Sequence, residues 1–345
     1  MAMNLTPGEI YFISERDHLS GTLSGYYKIG LVKSSRRGDS RARLAEHQTG
    51  NPRHLEVEHI VEAPAVSTLE VALHQRLALK RVSGEWFQLT PRALAQAIAM
   101  ASNLAADQRS HLRSFARAEA LGGELSTERL GRATARDLNW FERAQVAKLT
   151  LRRLKQVQGS IKEFLSEALD AGQPVVDFIG STETESATFD KQALRRDHPD
   201  LFDEYAGTKP SASKLFRLAG GVEGPDVVVP RSVESLGRQV EELLSRPSTK
   251  RSYLEELHAC HLSSLAHSSK AEWDQMIATA ELQVRCGTKA GISGICSWKR
   301  VESSTPSFDL VGFRRAHPRL AEKYTMLRVR RSFGVIPMRS YVPKR

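Results

Sequence analysis

Five side chains within residues 1–70 are of the types that hydrolysis of a phosphodiester needs: Tyr11, Lys28, Arg43, His47 and Glu70. That reaction requires a base for the attacking water, positive charge for the developing phosphorane and stabilisation of the leaving oxygen. A phenol, a guanidinium and a carboxylate able to bind a metal can fill those roles. Arg43 and His47 are four residues apart, so on a helix they share one face. A free phenol titrates at about 10, so Tyr11 is a poor base unless Arg43, Lys28 or a metal lowers that value. Structural roles stand beside the chemical ones. Ser67 and Glu70 have the spacing of a capping box, which would stabilise a helix without any metal. His47 as a cation in a last helical turn would favour that helix end.

The elements that must position these groups read as one small α/β domain in the order β-β-α-β-α-β. Ile10–Ile13 and Tyr26–Val32 are β-rich runs joined by a polar connection containing Gly21 and Gly25. Ser40 is the expected N-cap of a helix over 41–48, with Gly50 as its stop. His54–Val61 alternates polar and apolar residues as a half-buried strand does. Ser67 opens a second helix whose Leu69, Leu73 and Leu77 line one side, Gly84 ends it, and Glu85–Leu89 is a last short strand.

In that order, Ile10-Tyr11, then Tyr27-Lys-Ile-Gly30, then Arg43-Leu-Ala-Glu-His47, then Leu69-Glu70 with His74, and finally Gly84-Glu-Trp-Phe87 resemble the GIY-YIG nuclease superfamily. The nearest likeness is to its phage and bacterial branch, with a Lys-Ile-Gly second motif and a terminal Gly-Glu-Trp-Phe. The resemblance implies an endonuclease with a small mixed sheet flanked by helices. It implies that Tyr11 orients or deprotonates the water, Arg43 contacts the scissile phosphate, Glu70 binds one divalent metal (Mg2+ or Mn2+), and His47 shuttles a proton. Tyr27, His74 and Glu85 are supporting candidates, and Lys28 faces phosphate or depresses the Tyr11 pKa. The chain also departs from the pattern: Glu9 replaces the first glycine, Lys28 replaces the second motif's tyrosine, and no obvious asparagine closes the domain.

The chain has 345 residues and a net charge of +10. Residues 1–100 hold 12 Lys and Arg against 10 Asp and Glu, a net of +2, so +8 lies in the remainder. A polyanionic partner is expected there, nucleic acid and DNA in particular, because Lys and Arg that neutralise phosphates release counterions. No apolar run reaches the roughly 20 residues of a membrane span. The start lacks a signal-peptide pattern. Three cysteines make no disulfide framework, so a cytoplasmic setting without membrane partners is expected.

From Pro91 the composition turns helical, notably over 94–119, 137–170 and 233–245. A repeat lies within it: Phe189-Asp-Lys-Gln-Ala-Leu-Arg-Arg-Asp-His-Pro-Asp-Leu-Phe-Asp-Glu-Tyr205 matches Phe308–Tyr324 at 8 of 17 positions. The expected organisation is a nuclease-like domain over 1–100 and two related helical units over 101–225 and 226–345. The shared block reads as a structural turn, with Asp as N-cap, His-Pro as helix stop, and Leu and Tyr as core. Basic runs at 151–155, 195–196, 314–315 and 328–331 suit phosphate contacts. His258, Cys260 and His261 with Cys286 and Cys296 match no common zinc spacing. Two rival readings remain: a nucleic-acid-binding scaffold that has lost cleavage, and a host-defence effector whose helical repeats sense a protein regulator.

Overall fold

The computed structural model describes residues 5–34, 39–49, 51–220 and 228–339. The expected stop at Gly50 lies outside them. The chain begins with β1 (Gly8–Arg16), β2 (Leu23–Lys33), α1 (Ser40–Gln48), β3 (His54–Ala63), α2 (Val66–Arg76), β4 (Arg81–Ser83) and β5 (Trp86–Gln88). The strands form one sheet in the order β3-β1-β2-β5-β4. Every pairing in it is antiparallel, which corrects the expected mixed sheet.

Alternation of side chains across the strands assigns two faces. Tyr11 and Ile13 point to one, where Leu44 of α1 and Trp86 complete a small cluster. Ile10, Phe12, Tyr27 and Ile29 point to the other, against Leu69 and Leu73 of α2. The cap of α1 is Asp39, whose carboxylate accepts from the Arg41 and Ala42 amides. Ser40, the expected cap, instead donates from its backbone to Glu9 at 3.1 Å and from its hydroxyl to the same carboxylate. Glu9 therefore ties the start of α1 to β1. The capping box at Ser67 does not form. The cap of α2 is Ala65, with no side-chain bond, and the Ser67 hydroxyl is buried without a partner.

The rest is mostly helical: α3 (Pro91–Gly123), α4 (Ala135–Asp170), β6 (Ile179–Phe189), α5 (Lys191–Asp197), α6 (Pro199–Tyr205), β7 (Ala206–Ser213), β8 (Phe216–Leu218), α7 (Arg231–Ser245), α8 (Arg251–Cys286), β9 (Gly291–Ile292), β10 (Cys296–Trp298), β11 (Val301–Phe308), α9 (Leu310–Ala316), α10 (Pro318–Lys323) and β12 (Thr325–Val335). Helix α4 starts with a reciprocal capping box between Thr134 and Asp137. No helix among the described residues is long and apolar enough to cross a membrane. The first sheet does not stand alone: Trp273, Met276, Ile277 and Ala280 of α8 join Leu69, Leu73 and the Ala97–Ala105 face of α3 in one core.

The two repeat copies pair with each other. Each is a strand, two short helices and a strand; β7 pairs with β11 and β12 with β6, all antiparallel. Asp190 and Asp309 cap their helices, and each helix pair breaks at His-Pro, as expected. The contacts are reciprocal, as across a two-fold axis. The Asp190 amide donates to the Tyr324 carbonyl (2.8 Å) and the Asp309 amide to that of Tyr205 (2.9 Å). His198 stands edge-on to Tyr324 and His317 to Tyr205. Phe189, Leu194, Phe308, Phe313 and Tyr324 form a separate core there.

Candidate functional site

The side chain of Tyr11 is 1% exposed, on the β1 face covered by α1. Its cross-strand partner is Gly30, and a Cβ there would overlap the phenol oxygen and lie 2.6 Å from Cζ. Only glycine leaves room for the ring, which gives the Lys28-Ile29-Gly30 run its physical reason. The pair Ile13–Lys28 follows two residues along, so Lys28 shares the face of Tyr11. Lys28 Nζ lies 2.9 Å from Glu85 Oε2.

One turn of α1 separates Arg43 from His47, and both reach this face. His47 Nε2 lies 3.2 Å from the Tyr11 hydroxyl. Burial pushes the Tyr11 phenol up to about 12, with Glu85 adding to the rise and Arg43 opposing it. Burial, with the positive charge of Lys28 and Arg43, lowers His47 below its ordinary value. Both groups are therefore neutral near pH 7, and with the imidazole proton on Nδ1 the phenol donates to Nε2. Arg43 does pull the phenol down, but burial outweighs it. Arg43 is held by Glu46, one turn along, while its buried Nε makes no hydrogen bond. That orphaned donor is suited to an oxygen that a substrate would bring.

Glu70 comes from α2, on the opposite side of the sheet. Burial and the nearby Glu85 carboxylate push its carboxyl up to about 7, against the pull of Arg81, Lys28 and Lys33. Among the described residues no three His, Cys, Asp or Glu side chains gather to hold a metal. A single half-buried carboxylate fits Mg2+, which keeps several waters and takes the rest of its ligands from phosphate. The donor set therefore suits a metal that arrives with substrate.

Of the supporting candidates, Glu85 joins the site through Lys28. Tyr27 lies on the other face of β2, in the core with Phe87. His74 sits one turn beyond Glu70 but bonds the Ile29 carbonyl at 2.8 Å and packs against Phe87 with the rings tilted, bracing β2 from behind. Sequence reasoning passed over Glu46 and Gly30; spacing to Arg43 and adjacency to Lys28 were the available signals. The zinc reading finds no support: Cys286 and Cys296 lie 3.6 Å apart in one cluster, whereas His258 packs on Phe178 in another.

Residues 8–102 match the T5orf172 domain, a GIY-YIG-like, nuclease-associated domain. The match spans the five-stranded sheet, its two helices and the start of α3. No curated protein and no solved structure matches the chain.

Proposed function

We propose that the chain is a metal-dependent endonuclease that hydrolyses phosphodiester bonds in nucleic acid, DNA by preference, with its site built from the Tyr11 face of the N-terminal sheet and from Glu70 of α2 beyond it. The likeness to the GIY-YIG branch with a Lys-Ile-Gly second motif supports this reading. The observation that carries it is convergence. Tyr11, Lys28, Arg43, His47 and Glu70 come from four elements and influence one another electrostatically, inside the region that matches a nuclease-associated domain.

In the reaction, His47 takes the phenolic proton while Tyr11 accepts one from the attacking water. A phenol too weakly acidic to ionise alone thereby serves as the relay. Arg43 Nε donates to a non-bridging phosphate oxygen. Glu70, with phosphate oxygens and water, would hold Mg2+ or Mn2+, which would supply positive charge at the scissile group. Burial, helped by the charges of Lys28 and Arg43, keeps His47 neutral and ready to accept.

The test is cleavage of single- and double-stranded DNA and RNA by the full chain with magnesium, manganese or EDTA, beside Glu70→Gln. Cleavage that needs metal and disappears in Glu70→Gln, with binding retained, supports the enzyme. Binding by both proteins without cutting under any metal favours the scaffold reading, whose basis is Glu9 and Lys28.

A further inference from the structure

From Arg143 to Lys162, helix α4 carries six basic residues and no Asp or Glu. Two are neutralised by neighbours. Arg143 pairs with Asp274 at 2.7 Å, and Arg153 pairs with Glu241 at 2.7 Å and Glu234 at 3.6 Å. Lys148, Arg152 and Lys155 are exposed and make no ion pair among the described residues. Their spacing of four and three puts them in one stripe, which with Gln156 and Gln275 lines an open depression between α4 and α8.

Two β-ribbons frame this stripe. At the C-terminal end of α4, Arg331 of β12 pairs with Asp170 at 2.7 Å, and Ile179, Phe333 and Val335 pack with Leu165. At the N-terminal end, Gln145 donates to the Ala219 carbonyl at 3.4 Å, and Phe216 and Leu218 pack beside Phe141. At 3.6 residues per turn, Gln145, Lys148, Arg152 and Asp170 share one side of the helix. The stripe therefore lies between the feet of the β6/β12 and β7/β11 ribbons, about 37 Å apart along α4. Both ribbons then run outward with their strand interiors exposed. One face of β6/β12 sets Arg328 opposite Ser186 and Arg330 opposite Thr184, beside Thr182, Thr188 and Ser332, with no carboxylate on it.

We propose that the Lys148–Arg152–Lys155 face of α4, framed by the two ribbons, is a docking tract for double-stranded DNA, held through its phosphates without reading sequence. This rests on the nuclease reading and names the form of its substrate. Charge complementarity points to a polyanion. The acid-free stretch is about 30 Å long, which leaves room for a duplex to cross α4 between the ribbon feet, whereas one lying along the helix would meet both ribbons. Single strands are gripped by stacking bases on aromatic rings, but no aromatic lies between Arg143 and Lys162. The ribbon phenylalanines are used in cores, and among the described residues Tyr26 is the sole aromatic of the exposed large apolar side chains.

The experiment measures binding of a labelled 30-bp DNA duplex to the full chain carrying Glu70→Gln, across a salt series, by fluorescence anisotropy. Adding Lys148→Glu, Arg152→Glu and Lys155→Glu should weaken binding at least tenfold. It should also flatten the log K against log salt slope by about three, near 0.9 for each phosphate that is no longer neutralised. Arg328→Gln with Arg330→Gln should give a smaller change of the same sign. Thermal melting checks that these exposed substitutions leave the fold intact. Unchanged affinity and slope in the triple variant overturn the tract, as does tighter binding of single-stranded DNA or duplex RNA of equal length. Absence of metal-dependent cutting by the wild type sinks the nuclease reading instead, and the two failures are separately visible.

Discussion

The Tyr11 ring fits where it does only because the residue across the strand from it has no side chain. A methyl at Gly30 would overlap the phenol more closely than van der Waals radii allow, and the ring, walled in by Ile13 and Val32, has little room to retreat. Gly30→Ala should cost roughly 1–3 kcal/mol as overpacking does, read from urea midpoints, and should remove cleavage as fully as Tyr11→Phe. Retention of full activity in Gly30→Ala would show that the phenol is not positioned by this close approach. The Tyr11–His47 pair adds a pH signature. In the proposed reaction His47 works as a neutral acceptor, and its pKa lies below the ordinary 6.5. At saturating metal, which keeps the Glu70 carboxylate ionised against its raised pKa, cleavage should therefore stay flat through neutrality and fall only as pH drops through the lowered His47 value. His47→Gln should abolish this acid limb along with most of the rate; a limb above pH 6.5 in the wild type would contradict the assignment.

Helix α8 shows the same logic in a structural setting. His258 and His261 are buried one turn apart with stacked rings, and the His258 Nε2 bonds the Ile336 carbonyl at 2.8 Å. Burial, with help from His258, pushes His261 down to about 4. Its folded pKa lies below the unfolded value, so no cost arises above pH 6.5, and stability is lost as the unfolded chain takes up the proton below it. Between pH 7 and pH 5 this one group should remove about 2 kcal/mol. Denaturation of wild type and His261→Gln at both pH values tests it, since the stability gap between them should narrow at pH 5. The sequence told little of this helix, because buried Ser264, Ser268 and Ser269 interrupt any clean apolar stripe. The ribbons β6/β12 and β7/β11 were equally hidden: strands exposed on both faces carry no alternation to read. The first sheet was legible because its strands have one buried pattern each, and the repeat's Asp caps and His-Pro breaks because they act locally. Ser40 was misread because the residue that captures it, Glu9, lies across the fold. Arg43 and His47 were legible from helical spacing, while the neutral state of Tyr11 depended on burial that no local pattern records.

The nuclease-like region and the helices share a core, and this sets what can be separated. Leu69 and Leu73 of α2 are covered by Trp273, Met276 and Ile277 of α8, 200 or more residues away in the chain. The bond from the Ser269 hydroxyl to the Ala72 carbonyl (3.1 Å) and the Gln108 amide bridging both backbone groups of Ala65 fix the same junction. The α2 side of the site therefore leans on α8, and Glu70 is carried by the helix that α8 supports. A fragment ending at residue 102 would expose the apolar faces of α2 and α3 to water, at about 25 cal/mol for each Å² uncovered. It should melt well below the full chain or aggregate, and it should cleave poorly even with every site residue present. Trp273→Ala asks the same question without truncation. Loss of a buried aromatic costs about 3–5 kcal/mol, and amide exchange should report that cost in α2 and β2 as well as in α8. Protection lost in α8 alone, with α2 unchanged, would mean that the two parts fold as independent units. Protection lost in both would make the helical body a structural part of the cleavage site, so that an event on α8 could reach Glu70 through packing alone.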